Sequence, residues 1–317
     1  MIAQLVSVAA VAVLLLSPVA ASADDCASPP PADFFAADNS HMYPAWSPDG
    51  GWIAFIAGRG SDIDVYRVRP DGTDLTRLTH SPAVDAHPAW SHDGAWISFD
   101  SLRDGDREGY VMTADGCQEQ NLTRNPAGDS PLAWSPDGSA VLFNSNRGGD
   151  GDQIYTATVI RDAEGNWRMG DARALTQGAV PNQAPAWSPD GNAIIFESRR
   201  DGNREIYRMK PDGSAQERLS NNSTPDMLPR WSPDGRRIAF SSRQDGNDEV
   251  YSLSADGTDP QRLTNHPGID RMPAWSPDGT RMVFSSDRSG ASRLYVMRAD
   301  GSGIRPLLPD AADEPRD

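Results

Sequence analysis

Six tryptophans, Trp46, Trp90, Trp134, Trp187, Trp231 and Trp275, recur along the chain, and five residues ahead of them stand His41, Asp85, Asp129, Asn182, Asp226 and Asp270. Brought around one axis, these side chains would form a ring of mostly carboxylate oxygens. Two carboxylates about 10 Å apart repel by about 1.7 kcal/mol at an effective dielectric of about 20, before salt screening. Such a ring should therefore welcome a cation or a basic segment of another protein. Calcium is the candidate metal, but it takes about 6–8 oxygens at about 2.3–2.6 Å, so one ion would touch only a subset. The alternative chemistry is local: each Asp caps its own loop by accepting from backbone amides.

Three residues ahead of the same tryptophans the side chain changes from copy to copy: Tyr43, His87, Pro131, Ala184, Leu228 and Met272. Variation on a repeated frame is where binding specificity would be written. Tyr43, His87, Leu228, Met272 and Arg230 join the six ring positions as the candidate protein-binding set. Catalytic signals are sparse. The chain has no G-x-S-x-G, no H-E-x-x-H, no phosphate-cradling loop and no paired metal-binding cysteines. Of five histidines, His80 and His266 sit in loops beside Leu-Thr, and His92 replaces a turn proline. Only His41 and His87 could form an acid–base pair, and with a divalent cation on the ring that would make a hydrolase or lyase.

The elements that position these residues follow from the repeat. WSPDG occurs at 46–50, 134–138, 187–191, 231–235 and 275–279, with WSHDG at 90–94. The spacing is 44 residues throughout, except for 53 between Trp134 and Trp187. A period of about 40–45 residues with four strands per unit predicts an all-β, six-bladed propeller with four antiparallel strands per blade. A Phe follows each Trp by nine residues, a Tyr by 20 or 21, and a Leu by 32, or 41 in the third copy. The first strand ends at the Trp, the second carries the Phe, the third the Tyr and the fourth the Leu, with period-two alternation. Ser-Pro-Asp-Gly closes the first hairpin: Pro presets φ, Asp bonds the local backbone and Gly takes the left-handed conformation. A second Asp-Gly recurs before the fourth strand, except in the third copy, where residues around Asp162 to Asp171 extend the hairpin. That hairpin is either a contact arm or a tolerated insertion. An Arg four after the Phe and an acidic or amide group two before the Tyr repeat in most copies, which predicts pairing within blades.

Residues 1–23 read as a secretory signal peptide ending at Ala21-Ser22-Ala23. Residues 24–40 form an N-terminal tail and candidate closing strand, 41–309 the propeller, and 310–317 a disordered C-terminal tail. Phe34-Phe35 lies as far before Trp46 as Leu78-Thr79 before Trp90, so the tail could close the ring or add a fifth strand, while Gly301 to Leu308 supplies a fourth strand of its own. With 45 acidic against 29 basic side chains, the net charge of −16 argues against nucleic acid, which needs a concentrated positive surface. The expectation is a periplasmic or secreted monomer without stable membrane insertion. Cys26 and Cys117 fit an oxidising compartment, as a disulfide or as two thiols.

The repeat from Tyr43 to Leu308, x-Pro-Ala-Trp-Ser-Pro-Asp-Gly-x-x-Ile-Ala-Phe and onward to Ile-Tyr and Leu-Thr, resembles the propeller repeat of the periplasmic TolB family. The resemblance implies a cell-envelope scaffold and, for the TolB propeller, a central opening that receives the peptidoglycan-associated lipoprotein of the Tol-Pal system. It also implies an additional N-terminal α/β domain, for which the residues between Asp24 and the first repeat are too few. The function expected is thus a non-catalytic propeller binding an envelope protein or basic peptide at an acidic central mouth.

Overall fold

The computed structural model of the chain describes residues 26–32, 34–35, 39–149 and 151–308. The expected signal peptide and C-terminal tail lie outside the described residues. The architecture is the six-bladed propeller that the repeat predicts. Blade 1 is β1 (Ser40–Trp46), β2 (Ile53–Arg59), β3 (Asp62–Val68) and β4 (Thr76–Arg77). Blade 2 is β5 (Asp85–Trp90), β6 (Trp96–Ser101), β7 (Glu108–Thr113) and β8 (Gln120–Asn121). Blade 3 contains β9 (Asp129–Trp134), β10 (Ala140–Ser145), β11 (Gln153–Arg161), β12 (Trp167–Met169) and β13 (Arg173–Ala174). Blade 4 is β14 (Asn182–Trp187), β15 (Ile194–Ser198), β16 (Glu205–Met209) and β17 (Glu217–Arg218). Blade 5 is β18 (Asp226–Trp231), β19 (Arg237–Ser242), β20 (Glu249–Ser254) and β21 (Gln261–Arg262). Blade 6 is β22 (Asp270–Trp275), β23 (Arg281–Ser286), β24 (Arg293–Arg298) and β25 (Arg305–Pro306). Each blade is an antiparallel sheet of consecutive strands, except that in blade 3 β12 and β13 both pair with β11.

The Phe and Tyr of each repeat are cross-strand partners, as in Phe55↔Tyr66 and Phe99↔Tyr110. In the Phe99–Tyr110 pair the ring centroids are 5.6 Å apart, an offset stack that adds to the burial of two large side chains. The fourth-strand leucines knit the blades together: Leu78 packs with Ile56 and Val65 of blade 1 and with Ile97 and Met112 of blade 2. The WSPDG turns form as expected, with Gly50 at φ 70° and Asp49 Oδ1 accepting from Gly51 N at 2.9 Å. The Ser47 hydroxyl and that amide hold the Asp49 carboxyl below its ordinary range.

The ring closes without a borrowed strand. Arg305–Pro306 fills the fourth position of blade 6, and the N-terminal tail adds to the outside of blade 1 through a Ser28↔Arg77 bridge. A disulfide between Cys26 and Cys117 ties that tail to blade 2. Phe34 instead plugs the seam. It is buried against Tyr66 at 5.0 Å and His41 at 4.7 Å, within a core shared by blades 1 and 6. Arg293, which breaks the acidic pattern two before the Tyr, donates from blade 6 to the main-chain oxygens of Asn39 and Phe35.

The extended hairpin β11–β12 does not project as an arm. Trp167 lies between Trp96 and Trp134, at 5.5 and 5.2 Å, and its amide donates to Gln120 Oε1 at 2.8 Å. The insertion thus folds back over the seam between blades 2 and 3, although Ile160 on β11 stays 61% exposed.

Candidate functional site: the central channel

The first strands of the six blades enclose a central cavity of about 530 Å³. At one end stand the turn residues Pro48, His92, Pro136, Pro189, Pro233 and Pro277. At the other stand Tyr43, His87, Pro131, Leu228 and Met272. Between them the wall is built from the Pro-Ala-Trp segments and from Arg230.

A bulge in the first strand brings the variable side chains to the channel. In blades 1, 2, 4, 5 and 6 the register slips between the residues four and one before the Trp. At that slip Tyr43, His87, Ala184, Leu228 and Met272 take φ of 51–59°, a conformation that costs a non-glycine residue about 1 kcal/mol or more. The proline that follows in these blades has no N–H to lose, which suits a bulge. Blade 3 differs: Pro131 follows a cis peptide, and Leu132 fills space left by Gly109, where a Cβ would meet Leu132 Cδ1 at 2.6 Å.

The expected acidic ring is not at the mouth. Asp85, Asp129, Asp226 and Asp270 are fully buried inside their blades, and none lines the channel. The arginine four after the Phe reaches back to them: Arg103 to Asp85 at 2.9 Å, Arg147 to Asp129 at 2.6 Å and Arg288 to Asp270 at 2.7 Å. Arg200 donates to Asn182 Oδ1 at 2.8 Å. In blade 5, where Gln244 replaces the arginine, Asn222 donates to Asp226 at 2.8 Å. These arginines also stack over the Phe–Tyr pairs, Arg103 lying 4.8 Å from the Tyr110 ring. Burial pushes the Asp129, Asp226 and Asp270 carboxyls above their ordinary range, against the pull of neighbouring hydroxyls.

Pairing within blades therefore holds, but with a different partner than the spacing suggested. The acidic group two before the Tyr takes the arginine preceding the fourth-strand Leu, as in Arg218–Glu205 at 2.6 Å and Arg262–Glu249 at 2.9 Å. Carboxylates held this way do not fit a channel-bound calcium ion. Among the described residues no group of three or more His, Cys, Asp or Glu is placed to hold a metal.

The two histidines proposed as a pair part company. His41 is 0% exposed among Phe34 and Phe55; burial, with Arg293 nearby, lowers its pKa to about 3. His87 does face the channel, 4.2 Å from the Tyr43 ring, with Nδ1 2.7 Å from Asp100 Oδ1. Asp100 also accepts from Ser130 Oγ at 2.7 Å and from Arg107. Burial opposes its charge, yet His87, Arg107 and Ser130 together hold the Asp100 carboxyl below its ordinary range. Because the carboxylate can only accept, Nδ1 carries the proton, and Nε2 makes no hydrogen bond among the described residues.

Asp100 belongs to a second layer that the sequence reading missed. The residues one after the Phe bond the next blade's first strand: Glu197 Oε2 accepts from Leu228 N at 3.0 Å, and Ser241 Oγ from Met272 N at 3.1 Å. The signal was present in the repeat. Ile56, Asp100, Asn144, Glu197, Ser241 and Ser285 occupy one register position and are mostly polar beside an invariant Phe.

The fold and this channel define a propeller of the six-bladed, WSPDG-repeat class. The profile of the TolB beta propeller domain family matches residues 35–118 and 223–311, more than half of the chain, and the chain belongs to that family. It is similar over 81% of its length to a candidate TolB of Agrobacterium tumefaciens, at 24% identity and TM-score 0.60, covering 90% of that chain. Against TolB from Acinetobacter baumannii the figures are 86%, 22% and 0.67, and the chain spans 64% of that protein. An oligogalacturonate lyase in complex with manganese shares the fold at 16% identity and TM-score 0.57, over 86% of this chain and 78% of that one. A 49-residue stretch is 43% identical to the uncharacterized protein Atu1656 of Agrobacterium fabrum, covering 16% of this chain and 17% of that relative.

Proposed function

We propose that the protein is an exported TolB-like propeller scaffold, without catalytic activity, that binds a protein or peptide at its central channel in the cell envelope. One observation carries the reading. On a repeated Pro-Ala-Trp frame, the side chains that differ between blades, Tyr43, His87, Pro131, Leu228, Arg230 and Met272, converge on one cavity wall. A signal peptide over residues 1–23, the Cys26–Cys117 disulfide and the periplasmic home of the TolB family support export. No helix among the described residues is long and apolar enough to cross a membrane.

The test is cross-linked affinity capture from an envelope fraction, with purified peptidoglycan-associated lipoprotein as a defined arm. The mature chain is compared with a Leu228→Glu/Met272→Glu variant that folds normally. A partner captured by the first and lost by the second supports the reading; equal capture by both removes the channel from it.

The His87–Asp100 pair favours a second reading, a hydrolase or lyase using His87 as general base. The version that needs a cation is weakened by the burial of His41 and of the paired carboxylates. An unfolding temperature that calcium and manganese leave unchanged would remove the rest of its support.

A further inference from the structure

We infer that the segment occupying the channel presents a carboxylate on an apolar body, and that Arg230 receives it. The inference rests on the channel-binding reading and names the chemistry of its ligand. A chain with net charge −16 would be expected to show carboxylates at any large opening. Yet among the described residues the cavity wall contains no Asp or Glu, and Arg230 is its only arginine or lysine.

The carboxylates nearest the wall are already engaged. Asp100 is held by His87, Arg107 and Ser130. Glu197 accepts from Leu228 N, with Arg204 Nε at 3.5 Å. Burial disfavours the Arg230 charge, and Tyr43 and Glu197 favour it only from a distance; among the described residues it has no ion-pair partner within 4.0 Å, and its guanidinium donates to Pro229 O at 2.9 Å. The remaining N–H groups of a rigid, planar fork are unspent, and a carboxylate matches that fork with two parallel bonds. One guanidinium, with no second arginine or lysine among the described residues of the wall, suits a monoanion better than a dianion.

The rest of the occupant follows from the wall. Prolines, tryptophans, Leu228 and Met272 offer aromatic and aliphatic contact, and about 530 Å³ lies within the usual size of a site for a small ligand or a few peptide residues. His87 Nε2 and the Tyr43 hydroxyl are further polar groups at the same end.

Three matched probes test this on the full mature chain: indole-3-acetate, indole-3-acetamide and tryptamine, read by saturation-transfer NMR and calorimetry. Indole-3-acetate should bind about tenfold or more tighter than the amide, the effect of one charge-assisted hydrogen bond, and tryptamine most weakly. Arg230→Gln should erase the preference for the anion, and Arg230→Lys should keep part of it. Should Arg230→Gln fail to fold, the ranking on the native chain and on Arg230→Lys still decides. Equal binding of acid and amide would overturn the charge inference and leave channel binding standing. Binding of none of the three would overturn both.

Discussion

The Asp100 carboxylate accepts from His87 Nδ1 at 2.7 Å while standing fully buried behind the channel wall. It also takes Arg107 and Ser130, so its charge is compensated on three sides. Asp100→Asn should lower stability by about 3 kcal/mol at pH 7, since it strands Arg107 and unties His87. The pH dependence has a definite sign. A depressed folded-state pKa contributes stability that is present above the unfolded value of about 3.9 and lost as pH falls through the lower folded value. Urea unfolding should therefore show the gap between the two proteins at pH 5–7 and see it shrink on going below pH 4. A gap of constant size down to pH 2 would contradict this.

Arg147 and Asp129 supply a second test within blade 3. Arg147→Gln should cost about 3 kcal/mol, because a fully buried carboxylate loses its cation. Adding Asp129→Asn should recover much of that loss, since the double variant leaves no uncompensated charge buried in the blade. Denaturant titration of the two single variants and the double variant gives the coupling; additive losses would mean the pair is not acting as one.

Architecture was legible because it is written six times: the Trp, Phe, Tyr and Leu spacings locate the strands and their register. The site was legible in part. Variation three before the Trp singled out Tyr43, His87, Leu228 and Met272, and these side chains line the cavity. The Asp ring was misplaced because the sequence shows periodicity but not direction; a bulge between that position and the Trp decides which side chains meet the axis. Asp85, Asp129 and Asp270 face arginines 18 residues later, a pairing that spans a hairpin and competes with nearer choices, while Asp226 has Gln244 at that position and takes Asn222 instead. The departures at His41 and Arg293, unreadable as isolated exceptions, make sense together at the seam where the ends of the ring meet.

His41 offers a separable pH effect. Its pKa is lowered to about 3 by burial, whereas an unfolded His titrates near 6.5. Between those values the unfolded chain binds the extra proton, so stability falls as pH falls. The loss from this residue should reach roughly 3 kcal/mol at pH 4.5. His41→Leu should flatten that part of the curve, and comparing the two proteins removes the contribution of the buried aspartates. Parallel curves from pH 7 to 4.5 would show that His41 is not sealed as described.

The Cys26–Cys117 bond closes 91 residues of sequence and holds the tail where Ser28 bridges Arg77. Replacing both cysteines with Ser should lower stability by about 2–4 kcal/mol. Hydrogen exchange at the Ser28 and Arg77 amides should accelerate more than exchange in blades 4 and 5. Reductant should reproduce the effect on the native protein and leave the double variant unchanged.

Ring closure can be probed at a single glycine. Gly72 holds φ at 90° in the blade 1 turn, and a Cβ there would sit 2.6 Å from Leu307 O of blade 6. Gly105 has a similar φ of 100° but nothing within 4 Å of a Cβ. Gly105→Ala therefore reports the backbone term alone, about 1 kcal/mol. Gly72→Ala adds a collision with a backbone oxygen that cannot rotate away, so blade 1 must shift from blade 6. Its cost should exceed that of Gly105→Ala by about 1–2 kcal/mol, with faster amide exchange at Leu307 and His41, the two sides of the seam. Equal costs for the two substitutions would mean that the blade 1–blade 6 contact yields freely and that the seam is held instead by Phe34 and Arg293.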